Sequence, residues 1–284
     1  MNNHIIKTLA YNKQVRILWI DNTDMIKEIC ENKNMSKLLK NVLGKTVSIA
    51  GLISGTLKGN QRVSIKISAS NRKYKIFTDT DSMGNVRGYV SDELLNVPLE
   101  VLRNLSVEEL LGDKGCIQVL KDLGMNSIFT GITGMPCGNI VDDFSYYFNQ
   151  SEQIPSFFHV NMIYNENNEI ELSRGIMVQL LPGAPTNIIE DIKKIILGNQ
   201  YIISRNDKNL EEISCLLFEN IDILEKSTIK FFCGCSKDGF YPMLHSLNRE
   251  ELIDAYESNK SIEMVCNICG EKYVFDKDDI GKLI

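Results

Sequence analysis

Cys233-Gly234-Cys235 and Cys266-Asn267-Ile268-Cys269 place four cysteines in two close pairs near the end of the sequence. Each pair can present two thiolates to one side of a metal ion, and together they supply the tetrahedral all-sulfur shell that Zn²⁺ prefers. Gly270 follows the second pair and allows a backbone turn that points amide N–H groups at the sulfurs. The sequence therefore predicts one Zn²⁺ per chain, with four ligands: Cys233, Cys235, Cys266 and Cys269.

The first pair is unusual because zinc ribbons normally repeat a C-x₂-C spacing, whereas this pair is C-x-C. Such a half-site indicates a centre with a second state, in which neighbouring thiols couple to each other instead of sharing zinc. A purely structural zinc site remains open from the spacing alone, since most closed four-cysteine sites are structural. His245 lies between the pairs and is the less favoured alternative ligand, because four cysteines are already available.

Composition restricts the class of protein. A chain of 284 residues with 43% apolar and 24% charged residues is typical of a globular protein of about two domains. The net charge of −6 argues against a nucleic-acid partner, which would require a positive surface. The longest uncharged apolar stretch, 46–57, is shorter than the roughly 20 residues that span a bilayer, and the first residues lack the pattern of a secretory signal. We therefore expect a cytoplasmic protein with no membrane partner, whose eight cysteines are thiols or metal ligands.

Residues 1–180 predict a mixed α+β domain in which strands and helices do not strictly alternate. The run from Gln14 to Asp21 is rich in β-branched residues and predicts a buried strand, after which Thr23 offers an N-cap for a helix through Lys33. A second helix is predicted from Ser36 to about Leu57, with small residues that allow close packing against a sheet. Further elements are strands at 62–69, 74–78, 86–90, 116–121 and 127–133, a helix at 140–149, and two strands around the turn 165–168.

Residues 181–230 predict a helical linker. Leu181-Pro182-Gly183-Ala184-Pro185 ends the last strand, because two prolines around a glycine continue neither a strand nor a helix. Beyond it, apolar residues recur with helical spacing, and we expect a helical connector over about 186–226. Its apolar stripe must be covered either by the first domain or by the metal-bound tail.

Residues 231–284 predict a small zinc-binding domain. A segment of roughly fifty residues rarely forms a sufficient core without a metal or another crosslink. From residue 233 onward it carries six basic and ten acidic residues, a formal charge of −4, which disfavours a zinc module that reads RNA or DNA.

The chain resembles the 33 kDa chaperonin family, a family of redox-regulated heat-shock holdases. The resemblance is specific, because several stretches match that family and occur in the same order. In the tail they are Cys233-Gly234-Cys235-Ser236, Arg249-Glu250-Glu251-Leu252, and Cys266-Asn267-Ile268-Cys269 followed by Tyr273 and Phe275. In the first domain they are Arg87-Gly88-Tyr89-Val90, Lys121-Asp122-Leu123-Gly124, Ser151-Glu152-Gln153-Ile154-Pro155-Ser156 and Gln179-Leu180-Leu181-Pro182-Gly183-Ala184.

The resemblance implies a function as well as the three-part organisation above. A reduced, zinc-bound form would be inactive. Oxidation would release zinc, unfold the tail and linker, and give an ATP-independent chaperone that holds unfolding client proteins. The family implies disulfides within each pair, here Cys233 with Cys235 and Cys266 with Cys269, and allows a homodimer in the oxidised form. On this interpretation the protein is not an enzyme.

A thiol-disulfide oxidoreductase that uses Cys233 and Cys235 is the alternative from the enzyme class. It would require an exposed thiolate of low pKa and preferably a thioredoxin-like βαβ context, which the tail sequence lacks.

Overall fold

The computed structural model describes residues 3–31, 35–125 and 127–284. The chain divides into two compact units, Met1–Phe232 and Cys233–Ile284. The family resemblance further implies that 1–180 is a client-binding and dimerisation core, 181–230 a linker and 231–284 a redox switch, and this assignment remains a prediction.

The first unit contains two large sheets and several helices. Its strands are β1 (His4–Ala10), β2 (Val15–Asp21), β3 (Arg62–Ser68), β4 (Lys75–Asp81), β5 (Asn85–Val90), β6 (Cys116–Asp122), β7 (Ile128–Gly134), β8 (Ser156–Tyr164), β9 (Ile170–Leu180), β10 (Asp222–Thr228) and β11 (Lys230–Phe231). Its helices are α1 (Thr23–Glu31), α2 (Lys37–Ser54), α3 (Asp92–Leu95), α4 (Leu99–Arg103), α5 (Val107–Leu111), α6 (Ile140–Gln150), α7 (Asn187–Gly198), α8 (Gln200–Ile203) and α9 (Leu210–Leu217). The mixed α+β class is thus confirmed.

Helix α2 lies between the two sheets. Sheet A has the strand order β10-β1-β2-β9-β8, and sheet B has the order β11-β5-β4-β3-β6-β7. Leu18 and Ile20 from sheet A share one core with Val63 and Ile65 from sheet B. The small residues of α2 allow this close packing, because a Cβ atom on Gly51 would lie 2.5 Å from Cδ1 of Ile20. Ser36 caps the helix by accepting a hydrogen bond from Leu39 N, and the helix ends at Ser54, three residues before the predicted end.

The opposite face of sheet A is covered by α7, α8 and α9. Ile192, Ile196 and Ile213 are fully buried in a core that they share with residues of β2 and β9. Trp19 belongs to the same core, and its ring meets Phe218 edge-on with centroids 5.9 Å apart. The sequence left two possible covers for the apolar stripe of the connector, the first domain and the metal-bound tail. In the structure, sheet A of the first unit covers it.

A buried arginine fixes this connector to sheet A. Arg174, on β9, donates from Nε to Oδ2 of Asp21 at 2.8 Å. Its guanidinium also donates to the backbone oxygens of Ile203, Arg205 and Lys208 at 2.8–3.1 Å. One side chain thus bonds three carbonyls of the segment that joins α8 to α9, and sequence reasoning had not identified it.

The prediction for the end of the helical connector needs correction. The helical connector does not extend to 226, because its last helix ends at Leu217 and residues 222–228 form strand β10. This strand pairs with β1, which the sequence analysis did not predict, so an interaction between distant residues decides the local structure. The end predicted for the first helix, Lys33, lies outside the described residues.

The second unit is small and contains a two-stranded sheet. Its elements are α10 (Lys237–Leu244), α11 (Arg249–Glu257), β12 (Ile262–Val265), β13 (Lys272–Phe275) and α12 (Lys277–Gly281). Phe240, Leu244, Phe275 and Cys266 form its main buried cluster. A cysteine of the predicted zinc site is therefore part of the core of this unit. In the described part of the chain, no helix combines the length and the apolar character needed to cross a bilayer.

Candidate metal centre

Two tight turns position the four cysteines. Gly234 separates the first pair and has φ of +65°, and Gly270 follows the second pair with φ of +79°, a region that glycine adopts without strain. The second turn is closed by backbone hydrogen bonds from Gly270 N to Cys266 O (2.8 Å) and from Cys266 N to Glu271 O (2.9 Å). The turn predicted at Gly270 is therefore present.

The four thiol sulfurs converge on one point. All four Sγ atoms lie within 4.8 Å of one another, with 3.4 Å between those of Cys233 and Cys266 and 3.4 Å between those of Cys235 and Cys269. Ligands about 2.3 Å from a tetrahedral Zn²⁺ are roughly 3.8 Å apart, so the cluster has the size of such a shell. The distances are far longer than a disulfide bond of about 2.05 Å. The donor set therefore fits the predicted metal, and the cluster could hold an ion.

Packing makes the site part of a small hydrophobic core. Cys266 is buried, and the other three cysteines are half-buried against the same cluster. The ring of Phe240 packs against that of Tyr273, with centroids 5.0 Å apart. Tyr273 also places its hydroxyl 3.2 Å from the sulfur of Cys235, within hydrogen-bond distance.

The surroundings of the sulfurs shift their pKa values in opposite directions. Burial, together with a hydrogen bond to the Cys235 thiol, raises the pKa of Cys233. Burial also acts to raise the pKa of Cys266, but amide N–H bonds from Cys269 and Ile268 outweigh it and hold that pKa below its usual value. These amide hydrogen bonds therefore favour the thiolate form of Cys266. A bound Zn²⁺ would supply the positive charge that keeps all four ligands deprotonated.

The sequence as a whole matches the family described as Hsp33 protein over residues 3–276. The chain belongs to the Hsp33 family. The 33 kDa chaperonin of Bacillus velezensis is 32% identical over 284 residues, which cover 99% of this chain and 98% of that protein. The 33 kDa chaperonin of Bacillus subtilis shows the same identity and coverage.

A solved structure agrees with the fold. The crystal structure of the 33 kDa chaperonin of Thermotoga maritima matches with a TM-score of 0.84 and 24% identity, covering 100% of this chain and 98% of that one. The resemblance to the family is thus confirmed. Membership in the Hsp33 family and the names of its relatives make the protein a chaperone of the Hsp33 type, which implies unfolded proteins as binding partners.

The structure of this Hsp33-family chain separates the four candidate ligands from the remaining candidates. Among the described residues, the four cysteines are the one group of three or more His, Cys, Asp or Glu side chains whose ligand atoms converge. His245 is exposed at the C-terminal end of α10 and is not part of the group. The other four cysteines belong to the first unit: Cys30, Cys116, Cys137 and Cys215.

Sequence reasoning missed a polar contact that stabilises the second unit. The carboxylate of Asp279, on α12, accepts hydrogen bonds from Lys237 Nζ (2.5 Å) and Tyr241 Oη (2.7 Å). Both donors lie on α10, which begins two residues after Cys235. The bonds from Lys237 and Tyr241 hold the pKa of Asp279 well below its usual range. Asp279 lies among other acidic residues in the sequence, so sequence analysis could not predict that this carboxylate is buried and paired.

We expect Asp279→Ala to destabilise the second unit while leaving all four thiols in place. Without the carboxylate, α10 loses its ionic contact with α12, so the module should unfold at a lower temperature and release zinc to a chelator faster. The depressed pKa of Asp279 implies that its contribution is present at neutral pH and is lost as pH falls through the folded-state pKa. Exposed Asp278→Ala is the matched control. Equal melting and zinc release in the two variants would contradict the role of Asp279.

Proposed function

We propose that this member of the Hsp33 family is a redox-regulated, ATP-independent holdase whose zinc-bound cysteines are its switch. The observation that carries the proposal is the convergence of four sulfurs within 4.8 Å in a unit of 52 residues whose core includes one of them. A metal that holds such a small unit together controls whether it is folded. The proposed ligands are Cys233, Cys235, Cys266 and Cys269, the proposed ion is Zn²⁺, and no enzymatic step on the client is involved.

The proposed switch is the oxidation of each cysteine pair to a disulfide. Peroxide takes two electrons from one thiolate, which becomes a sulfenic acid as hydroxide leaves. The neighbouring thiolate then attacks that sulfur, forms the S–S bond and displaces a second hydroxide. Following the family, the bonds join Cys233 to Cys235 and Cys266 to Cys269. Each bond removes two of the four zinc ligands, so Zn²⁺ is released.

Loss of zinc unfolds the second unit and then frees the connector. A structural zinc ion contributes on the order of 10 kcal/mol to the folding of a small module, which is comparable to the whole stability of a domain. Strand β11 ends two residues before Cys233, so unfolding that starts at the metal reaches the edge of sheet B after a very short segment. From there it proceeds through β10 into residues 181–230.

The proposed client-binding surface is formed when α7, α8 and α9 leave sheet A. In the folded chain their isoleucines are buried against β2 and β9. Separation exposes both the helical stripe and the sheet face that carries Trp19 and Val178. An apolar patch larger than a few hundred Å² binds the exposed hydrophobic segments of unfolding proteins. Of the two covers that the sequence left open for the stripe, sheet A of the first unit is the one that the proposal uses.

Further parts of the proposal concern location and assembly. All eight cysteines lie in the described part of the chain and carry thiols, as is typical of the reducing cytoplasm, where we place the protein. Unfolding proteins are its partners, and neither nucleic acid nor membrane is expected to be one, in keeping with the net charge of −6. The oxidised form is proposed to be a homodimer.

The test compares reduced, zinc-loaded protein with protein treated with peroxide and mild heat. We expect the treated protein to suppress client aggregation, release one Zn²⁺ per chain and show both proposed disulfides by peptide mass mapping. The double variant Cys137→Ser/Cys215→Ser, which removes exposed thiols outside the cluster, should switch in the same way. Equal suppression before and after treatment would leave the zinc site purely structural. Turnover of a disulfide substrate with a reductase would instead favour an oxidoreductase.

A further inference from the structure

Strand β7 is an exposed edge strand with apolar side chains. It is the last strand of sheet B and pairs only with β6 among the described residues. Ile128, Phe129 and Ile132 are 59–63% exposed, although each is large and apolar. Such a strand presents both free backbone groups and a hydrophobic surface, and is a ready template for another strand.

The other edges of the two large sheets are protected in ways that β7 is not. Strand β11 is only two residues long, and β10 carries Asp222, Glu225 and Lys226. Strand β8 has a register shift near its end and packs against α7. Strand β7 has seven residues, no charge, no proline and an unbroken register with β6. Proteins normally protect such an edge strand against pairing with other chains. The unprotected edge of β7 therefore indicates that another strand pairs with it.

Hydrogen bonds at the two ends of the β6–β7 hairpin show which backbone groups of β7 point outward. Leu123 N donates to Ser127 O (3.2 Å) at one end, and Met135 N donates to Gly115 O (3.0 Å) at the other. In an antiparallel ladder, residues that bond to the partner strand alternate with residues that direct both backbone groups away from it. Since 127 and 135 bond toward β6, the even-numbered residues of β7 direct their N–H and C=O groups outward.

We propose that β7 pairs antiparallel with β7 of a second copy of this chain, about a two-fold axis at Thr130. Thr130 then lies opposite Thr130 of the partner subunit, and Ile128 lies opposite Ile132 of the partner subunit. The order Ile-Phe-Thr-Gly-Ile over residues 128–132 is symmetric in its isoleucines about Thr130. Ile128, Thr130 and Ile132 all present outward backbone groups in this register, so the two strands form a ladder over residues 128–132.

The odd-numbered residues fit the same register on the other face of the sheet. Phe129 lies opposite Gly131 of the partner subunit, and an aromatic ring across from a strand glycine is a favourable pair. Gly131 has no room for a side chain of its own, because a Cβ there would lie 2.6 Å from the hydroxyl of Tyr147. No charge of β7 meets a like charge in the pair. The strand is thus complementary to itself on both faces.

This pairing gives an interface for the proposed homodimer, but it does not rest on the redox switch. Strand β7 and its neighbour β6 both belong to the unit that ends at Phe232, and the proposed metal ligands belong to the other unit. A failure of the interface would therefore leave the zinc switch intact, and aggregation suppression by the variants below distinguishes the two.

Charge substitutions test both the interface and its register. Sedimentation of the full-length protein, zinc-loaded and after peroxide, from about 1 µM to about 1 mM measures the dimer constant. We expect Ile128→Lys and Ile132→Glu each to raise Kd about tenfold or more, since a charge then faces an isoleucine. The double variant should recover to within about threefold of the parent, because Lys faces Glu in both halves of the ladder.

A control at another edge makes the result specific. Ile223, on β10, is also an exposed apolar residue, and Ile223→Lys should leave Kd unchanged. Retained zinc and unchanged Trp19 fluorescence show that each variant is folded. A monomer at every concentration in both redox states, or a dimer that tolerates Ile128→Lys, would overturn the proposal. A double variant no tighter than either single one would overturn the register at Thr130.

Discussion

Cys266→Ser is expected to remove zinc, unfold residues 233–284 and free the connector from sheet A. Cys266 is both a proposed ligand and a buried member of the module core, at 5% exposure. With three sulfurs left, the site loses most of a metal contribution on the order of 10 kcal/mol. A unit of this size has no comparable source of stability, so the loss should be complete rather than graded.

Zinc content by elemental mass spectrometry and limited proteolysis measure this result. The variant should contain far less than one zinc per chain and should be cleaved within 233–284, and release of the connector should change the fluorescence of Trp19, which packs against Phe218. Cys215→Ser, which removes an exposed thiol on α9, should retain zinc and resist cleavage. A zinc-free but protease-resistant tail would show that the metal does not hold the module together.

Arg174→Ala is expected to have the second largest effect, this time on the first unit. The substitution removes the guanidinium that pairs with Asp21 and bonds three carbonyls between α8 and α9. Breaking a buried ion pair by removing one partner typically costs about 3–5 kcal/mol. The connector should therefore separate from sheet A more easily, and reduced protein should bind clients without peroxide.

Urea unfolding followed by Trp19 fluorescence measures the free energy of unfolding, because Trp19 lies in the core between sheet A and the connector. Arg205→Ala is the control, since this arginine lies in the same segment but its side chain forms an exposed pair with Asp207. Exposed pairs contribute little, so the control should unfold like the parent. An unchanged unfolding midpoint for Arg174→Ala would show that Arg174 does not hold the connector on sheet A.

Local pattern in the sequence was sufficient for the metal centre and for most elements of sheet B. The cysteine spacing and Gly270 specify the site because a turn and its ligands are encoded within a few consecutive residues. Strand β10 could not be read in the same way, since its partner strand β1 lies more than 200 residues away in the sequence. The contacts of Arg174 and Asp279 are equally non-local, and a single charged residue carries no mark of its burial.

The pairing of β1 with β10 also constrains how the protein is made. Strand β10 is the edge neighbour of β1, so sheet A is completed only after residue 228 has left the ribosome. Until then, a nascent chain with most of its hydrophobic residues already synthesised has an open edge at β1. The proposed metal ligands, at residues 233–269, emerge after strand β10, so the four of them can bind a metal together only once sheet A can be completed. Folding of sheet A therefore finishes only after strand β10 has been synthesised. The long-range pairing of β10 with β1 is its slow step.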